Sequence, residues 1–323
     1  MKTTIDINKR PLVIIAGPTA VGKTATSVQL AKRLGGEIVS ADSVQVYRGL
    51  DIGSAKVTKE EMEGVTHHLI DVIDPETNYD VNRFKNMAEE AIEKIYERGH
   101  LPILVGGTGF YIQALLYGID FTEENEEMHR AIRSRLEKEA ETMEGREGLY
   151  RQLKEIDPES AMRIHPNNIP RVIRAVEFYE LHKTPISLHN AEEKQKTARF
   201  QTAFFVLTDD RQRLYERINK RVDGMMDSGL LEEAKWLKAL QLPEDATSMK
   251  GIGYREMLAY LDNRCTIEDA VEAIKKNSRN YAKRQLTWFR REQNVEWVNI
   301  AEFNYKKETI TEWITEKCLK LLA

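Results

Sequence analysis

Residues Gly17-Pro18-Thr19-Ala20-Val21-Gly22-Lys23-Thr24 spell a complete G-x-x-x-x-G-K-T. The chemistry of that pattern is anion capture: the glycines let successive backbone N–H groups turn inward, the lysine reaches terminal phosphates and the threonine hydroxyl ligates Mg²⁺. Asp42, followed by Ser43, Val44, Gln45 and Tyr47, offers a carboxylate that can act as general base, join a metal shell, or cap the next turn. Thr108, within Gly106-Gly107-Thr108-Gly109, offers a hydroxyl to the same crevice or an N-cap to a helix. Arg217 and Arg221 stand four apart, the spacing either of a clamp on a diphosphate leaving group or of a solvated helix face. Near the C-terminus Arg279, Lys283 and Arg290 fall close to one helical stripe with Tyr281 and Trp288 between them. That stripe suits RNA phosphates and splayed bases, and it equally suits a solvated face over a core tryptophan.

These groups work only if the chain delivers them to one place. Pro11 to Ala16 is short, apolar and β-branched, as a strand feeding a phosphate loop must be, and Thr24 to Leu34 carries Val28, Leu30, Ala31 and Leu34 at helical spacing before Gly35-Gly36. Glu37 to Ala41 reads as a second strand ending at Asp42, and Leu101 to Val105 as a third ending at the glycine turn. Between them Phe84, Met87, Ala88, Ala91, Ile92 and Ile95 form one face of a helix closed by Gly99. Strands alternating with helices imply right-handed crossovers and a parallel sheet whose ligand site lies at the carboxyl ends of its strands. The phosphate loop, Asp42 and Thr108 all fall there. The fold class expected is α/β: a P-loop NTPase-like parallel sheet flanked by helices, with a helical insertion. Residues 1–121 and 200–323 make the core with its C-terminal helices, and 122–199 make the insertion, including helices at Met128 to Lys138 and Val172 to Leu181. Phe204 to Leu207 restores the strand pattern, helices follow at Arg211 to Met226, Leu230 to Leu240 and Ile267 to Arg290, and Val295 to Val298 is a late strand.

Bulk properties narrow the class. With 323 residues, 41% of them hydrophobic, the chain can bury a sizeable core. No apolar run approaches the roughly 18 residues of a membrane span, and nothing marks the chain for export. Cys265 and Cys318 have no metal-ligand spacing, so ordinary half-buried thiols in a reducing cytoplasm are expected. The net charge of −4 argues against a nucleic-acid partner only on average, because glutamates concentrate between Glu123 and Glu147 and cations near the C-terminus. His67 and His68, adjacent on a short strand, point to opposite faces and cannot share a metal. The strand Ile103-Leu104-Val105 runs into Gly106-Gly107 where an NTPase would carry a metal-binding Asp. That weakens a simple ATPase reading and leaves a kinase, with ATP in the loop and Asp42 activating a hydroxyl, as the rival. No heptads call for obligate assembly, so a monomer is expected.

The ordered series of motifs adds a further expectation. Gly17 to Thr24, Asp42-Ser43-Val44-Gln45-Val46-Tyr47, Asp51-Ile52-Gly53-Ser54-Ala55-Lys56, His67-His68-Leu69-Ile70-Asp71 and Gly106-Gly107-Thr108-Gly109-Phe110-Tyr111 together closely resemble the bacterial tRNA dimethylallyltransferases. The likeness continues through Pro170-Arg171-Val172-Ile173-Arg174, Gly251-Ile252-Gly253-Tyr254-Arg255-Glu256 and Ala282 to Trp288, and so spans nearly the whole chain. It implies transfer of a dimethylallyl group from dimethylallyl diphosphate to N6 of adenosine 37 in tRNAs that read codons beginning with U. By similarity Asp42 is the base, and Lys23, Thr19, Mg²⁺ on Thr24 and the Arg217/Arg221 pair stabilise the leaving diphosphate. The tRNA anticodon stem-loop would meet Asp42 to Gln45, Thr108, Arg130, Pro170 to Arg174, Gly251, Tyr254 and Arg255, with Arg279 and Lys283 from the basic stripe. One departure stands out: relatives often place Gln before Arg171, whereas here Pro170 lacks both an N–H and an amide.

Overall fold

The computed structural model describes residues 9–119, 126–193, 196–243 and 246–322, the side chains of Glu126, Glu127, Arg130 and Glu193 excepted. The chain divides into two compact units, Met1–Gly118 with Ala198–Ala323, and Ile119–Thr197.

The first unit is built on six parallel strands: β1 Pro11–Ala16, β2 Gly36–Ala41, β3 His67–His68, β4 Leu101–Gly106, β5 Gln201–Thr208 and β6 Glu296–Asn299. They lie in the order β3-β2-β4-β1-β5-β6, with β1 at the centre in register with β4 (Ile14 opposite Leu104) and β5 (Ile14 opposite Phe204). Strand side chains alternate in direction, so a strand covered on both faces must be apolar at every position. β1 obeys this: Leu12, Ile14 and Ala16 enter one core layer, Val13 and Ile15 the other. The mixed α/β architecture and its parallel sheet are those expected from the strand-helix alternation.

Helices cover both faces. α1 (Lys23–Leu34) starts directly at the phosphate loop, and α2 (Lys59–Met62) and α3 (Val81–Glu97) follow, α3 N-capped by Asp80 accepting from the Arg83 N–H. α4 (Gly109–Tyr117) leaves the glycine turn after β4. After the second unit come α10 (Arg211–Asp227), α11 (Leu230–Ala239), α12 (Tyr254–Leu261), α13 (Ile267–Phe289) and α14 (Lys307–Leu322). α13 begins with a Thr266–Asp269 capping box. Cys318, expected half-buried, lies wholly within the core of α14, where burial pushes its thiol up to about 12.

The second unit is all helical: α5 Glu126–Glu139, α6 Met143–Ile156, α7 Pro158–Arg163, α8 Ile169–His182 and α9 Ile186–Glu193. It has its own small core of Leu136, Leu149, Leu153, Val172, Ile173 and Val176. Asp157 fastens it internally, accepting from the N–H groups of Ser160 and Ser187 and from the Ser187 hydroxyl. Burial raises the pKa of this carboxyl, and the hydrogen bonds from Ser187 and Ser160 outweigh that and hold it below its ordinary value. Among the described residues no helix is long and apolar enough to cross a membrane.

Candidate active site

At the carboxyl end of β1 the chain turns through Gly17 (φ 146°) and Gly22 (φ 102°), conformations that disfavour any side chain. A Cβ at Gly17 would also lie 2.6 Å from the Leu207 carbonyl oxygen of neighbouring β5, so the loop hugs the sheet only because this residue is glycine. Pro18 is buried and Ala20 adopts a left-handed φ of 63°. Val21 packs into the core. Lys23 folds back over the loop, donating to the carbonyls of Gly17 (3.0 Å) and Pro18 (2.8 Å). Burial and the neighbouring Arg221 charge push its ammonium down to about 8 against the opposing pull of Asp42. Such a cation gains most by meeting an anion, which restores what desolvation took away. Thr24, next on α1, is exposed.

Helix α10 brings both arginines to this loop. Arg221 donates from Nη1 to the Thr19 hydroxyl at 3.1 Å. Arg217 places its guanidinium 3.7 Å from where a Cβ at Gly22 would stand, and Nη1 contacts Asp209 Oδ2 at 3.5 Å. Desolvation lowers the Arg221 pKa while Asp42 raises it, and an arginine in that position still keeps its charge. The four-residue spacing thus puts both guanidinium groups beside the loop, Arg221 still exposed and Arg217 40% exposed. Asp209, just after β5, is fully enclosed and also accepts from the Tyr305 hydroxyl at 3.2 Å. The sequence signal that marks this residue is its place directly after a strand end.

Across the crevice Asp42 directly follows β2. Its Oδ1 accepts from the N–H groups of Val44 (2.9 Å) and Gln45 (3.3 Å), an Asx turn that fixes the carboxylate, while Oδ2 carries no hydrogen bond among the described residues. The capping reading thus holds for Oδ1. Thr108 Oγ1 is buried and does not cap α4, and the Tyr281 hydroxyl is the polar side chain that faces it. Tyr281 of α13 faces Thr108 and Gln285; burial and the Asp42 charge raise its hydroxyl to about 12, so it stays protonated.

The residues read as RNA contacts divide. Ser43 and Val44 are half-buried in the segment after β2, and Val44 Cγ1 would lie 3.5 Å from a Cβ at Gly251, which joins this segment to the 251–255 turn. The Gln45 amide donates to the carbonyls of Ser54 and Ala55, each at 3.3 Å. Tyr254 requires correction as a contact: it is 0% exposed, its ring covers Gly53, and its hydroxyl donates to Glu233 Oε1 at 2.5 Å. Glu233 also accepts from the N–H groups of Asp51, Ile52 and Gly53, so Tyr254 shapes the loop instead of reading a partner. Arg255 is exposed and pairs with Glu256 at 2.6 Å. Of the basic stripe read as an RNA contact, Arg279 is half-buried and donates to Asn219 Oδ1 of α10 at 2.6 Å, while Lys283 is exposed. In the helical unit the side chains of Val172 and Ile173 belong to the core and cannot face a partner, whereas Pro170, Arg171 and Arg174 at the start of α8 are exposed. Pro170 occupies the first turn of that helix, where a missing N–H costs nothing. The Arg130 side chain lies outside the described residues.

No group of three or more metal-ligating His, Cys, Asp or Glu side chains occurs among the described residues. His67 and His68 separate as their strand requires: His67 Nδ1 meets the Val65 carbonyl and His68 Nε2 meets Glu37. At the start of α1 the exposed Thr24 hydroxyl is the kind of oxygen donor that Mg²⁺ takes alongside substrate phosphates and waters.

Sheet, loop and crevice together define a phosphate-loop α/β protein in which an arginine pair and a lysine face an anion cradle, with a carboxylate opposite. The sequence profile described as IPP transferase matches residues 45–292. A tRNA dimethylallyltransferase of Lachnoclostridium phytofermentans is 51% identical over 311 residues, 95% of this chain and 98% of that protein. One of Acetivibrio thermocellus is 44% identical over 93% of this chain and 95% of its own. Among solved structures, the full-length tRNA isopentenylpyrophosphate transferase of Bacillus halodurans superposes with a TM-score of 0.71 at 45% identity, covering 97% and 98% of the two chains. A eukaryotic dimethylallyltransferase acting on tRNA superposes with 0.74 at 30% identity, covering 90% of this chain and 74% of its own. This chain belongs to the IPP transferase family.

Proposed function

We propose that this enzyme transfers a dimethylallyl group from dimethylallyl diphosphate to N6 of adenosine 37 in the anticodon loop of tRNAs that read codons beginning with U, releasing diphosphate. The observation that carries the reading is the arrangement of opposed groups. Arg217, Arg221 and Lys23 gather at the phosphate loop while Asp42 presents a free Oδ2 from the adjacent part of the sheet edge. The names of the relatives, all tRNA prenyltransferases, support the same assignment.

An adenine amine is a poor nucleophile because its lone pair is delocalised into the ring. As N6 attacks the allylic carbon, the C–O bond to diphosphate breaks and N6 must lose a proton, which Asp42 Oδ2 accepts. The cationic groups act on the other product, neutralising charge on diphosphate as it departs. Mg²⁺ held by Thr24 and the diphosphate would add to that neutralisation. Thr108 Oγ1, buried beside the Tyr281 hydroxyl and not used as a helix cap, orients the adenine edge. Reaching N6 requires the base to leave its stack, as base-modifying enzymes generally demand. The exposed Arg171 and Arg174 of the helical unit supply backbone contacts to the RNA.

Incubation with labelled dimethylallyl diphosphate, Mg²⁺ and unmodified tRNA, followed by nucleoside analysis, tests the reading. The label is expected on N6 of adenosine 37. Label on another nucleoside, or none with both substrates bound, would refute it.

A further inference from the structure

Helix α13 buries one polar side chain where its apolar stripe continues. Ala282, Gln285 and Phe289 recur at spacings of three and four, and Gln285 is only 5% exposed. A buried amide must find partners, and these two are informative. Its Oε1 accepts the Thr19 N–H at 2.9 Å, and its Nε2 donates to the Gly107 carbonyl at 3.1 Å. Thr19 belongs to the phosphate loop after β1, and Gly107 to the turn after β4, immediately before Thr108. The contact is close: a Cβ at Gly107 would lie 2.0 Å from Gln285 Nε2 and would push the amide out of place. Thr19 is doubly engaged, because its hydroxyl accepts from Arg221 while its N–H is given to Gln285.

Resting on the function proposed above, we propose that Gln285 is a positioning residue that sets the spacing between the two halves of the crevice. One amide bridges the loop that cradles the leaving group to the turn that presents Thr108 to the adenine. It touches neither substrate. Its effect is to hold the allylic carbon and N6 at reacting distance, and the Thr19 N–H is committed to that task instead of to phosphate.

Two substitutions separate the bonds. Gln285→Met preserves length and burial but removes both hydrogen bonds. Gln285→Glu keeps an acceptor for the Thr19 N–H and replaces the donor to Gly107 with a second oxygen. Because misplacement by about 1 Å can cost about a hundredfold in rate, kcat per folded enzyme is expected to fall 10- to 100-fold in both variants. The KM values for dimethylallyl diphosphate and tRNA should stay within about threefold, since the groups that bind each substrate remain in place. Amide hydrogen exchange of the peptide containing Thr19 should accelerate at least tenfold in Gln285→Met and remain near wild type in Gln285→Glu. A purely structural residue would lower the melting midpoint and the folded fraction without changing kcat per folded molecule. The proposal is overturned if Thr19 exchange is the same in Gln285→Met and wild type, or if kcat per folded enzyme is unchanged in Gln285→Glu. The exchange measurement needs no turnover, so failure of wild-type transfer would count against the prenyltransferase reading alone.

Discussion

The two units hold their chemistry differently. In the sheet unit the side chains aimed at the crevice are held by other parts of the chain: Asp42 by two backbone N–H groups, Arg221 by Thr19, Lys23 by two carbonyls. In the helical unit the buried polar groups Asp157 and Glu177 serve the unit's own packing, Glu177 accepting from Arg133 at 3.0 Å, and the basic residues at the start of α8 are exposed. Pre-set geometry is what a bond-forming step needs, because orientation lowers the barrier only if it is established beforehand. Exposed arginines suit the recognition of an RNA backbone, where charge matters more than angle. Substitutions in the sheet unit should therefore register in kcat, and those in the helical unit in RNA affinity.

The sharpest way to break this contrast is Asp42→Asn. Asparagine keeps an oxygen for the Val44 and Gln45 N–H groups but cannot take a proton, so transfer should fall by about 10²–10⁴ with tRNA retention on filters unchanged. Equal loss of RNA retention would mean the turn, not the base, was lost. Arg221→Ala and Arg217→Ala come next, each expected to cost about 10²-fold in single-turnover rate by removing a cation from the leaving group. For Arg171→Ala in the helical unit, the account expects about a tenfold weaker tRNA KM, a salt dependence shallower by about one, and an unchanged kcat. A fall in kcat there would erase the distinction.

The smallest effect on transfer, none per folded molecule, is expected for Glu37→Gln, although its effect on stability is large. Glu37 lies at the opposite end of β2 from Asp42, 4% exposed, receiving two hydrogen bonds from Arg98 and one each from His68 and His100. The Arg98 bonds lead in holding its carboxyl down at about 2, against the cost of burial. A depressed carboxyl stabilises the fold fully above its ordinary pKa, and the contribution drains away as pH falls from that value towards about 2. Removing the charge should cost about 3 kcal/mol at neutral pH, read from urea unfolding, and the gap between variant and wild type should narrow below about pH 4.

Much of this could be read in the chain itself. The β-branched run before Gly17, the helical periodicity between Phe84 and Ile95 and the strand ends at Asp42 and Gly106 are local signals, and the structure follows them. Gln285 escaped notice because its partner Thr19 lies 266 residues away. The clue was a glutamine at a position where the period of α13 calls for an apolar residue. Tyr254 misled for the converse reason: its motif marks a turn near the site, but only packing against Gly53 and Glu233 reveals that the ring faces inward. Arg279 falls by periodicity on the basic stripe that suits RNA, and periodicity cannot show that Asn219 of another helix stands in front of it.

The central claim is that the phosphate loop grips a prenyl diphosphate and not a nucleotide. The direct test is the thermal unfolding midpoint in Mg²⁺ with dimethylallyl diphosphate or with ATP, since a ligand raises the midpoint only by binding the folded state. The account predicts a rise with dimethylallyl diphosphate that is abolished in Lys23→Ala, and little or none with ATP. Stabilisation by ATP without any by dimethylallyl diphosphate would contradict it.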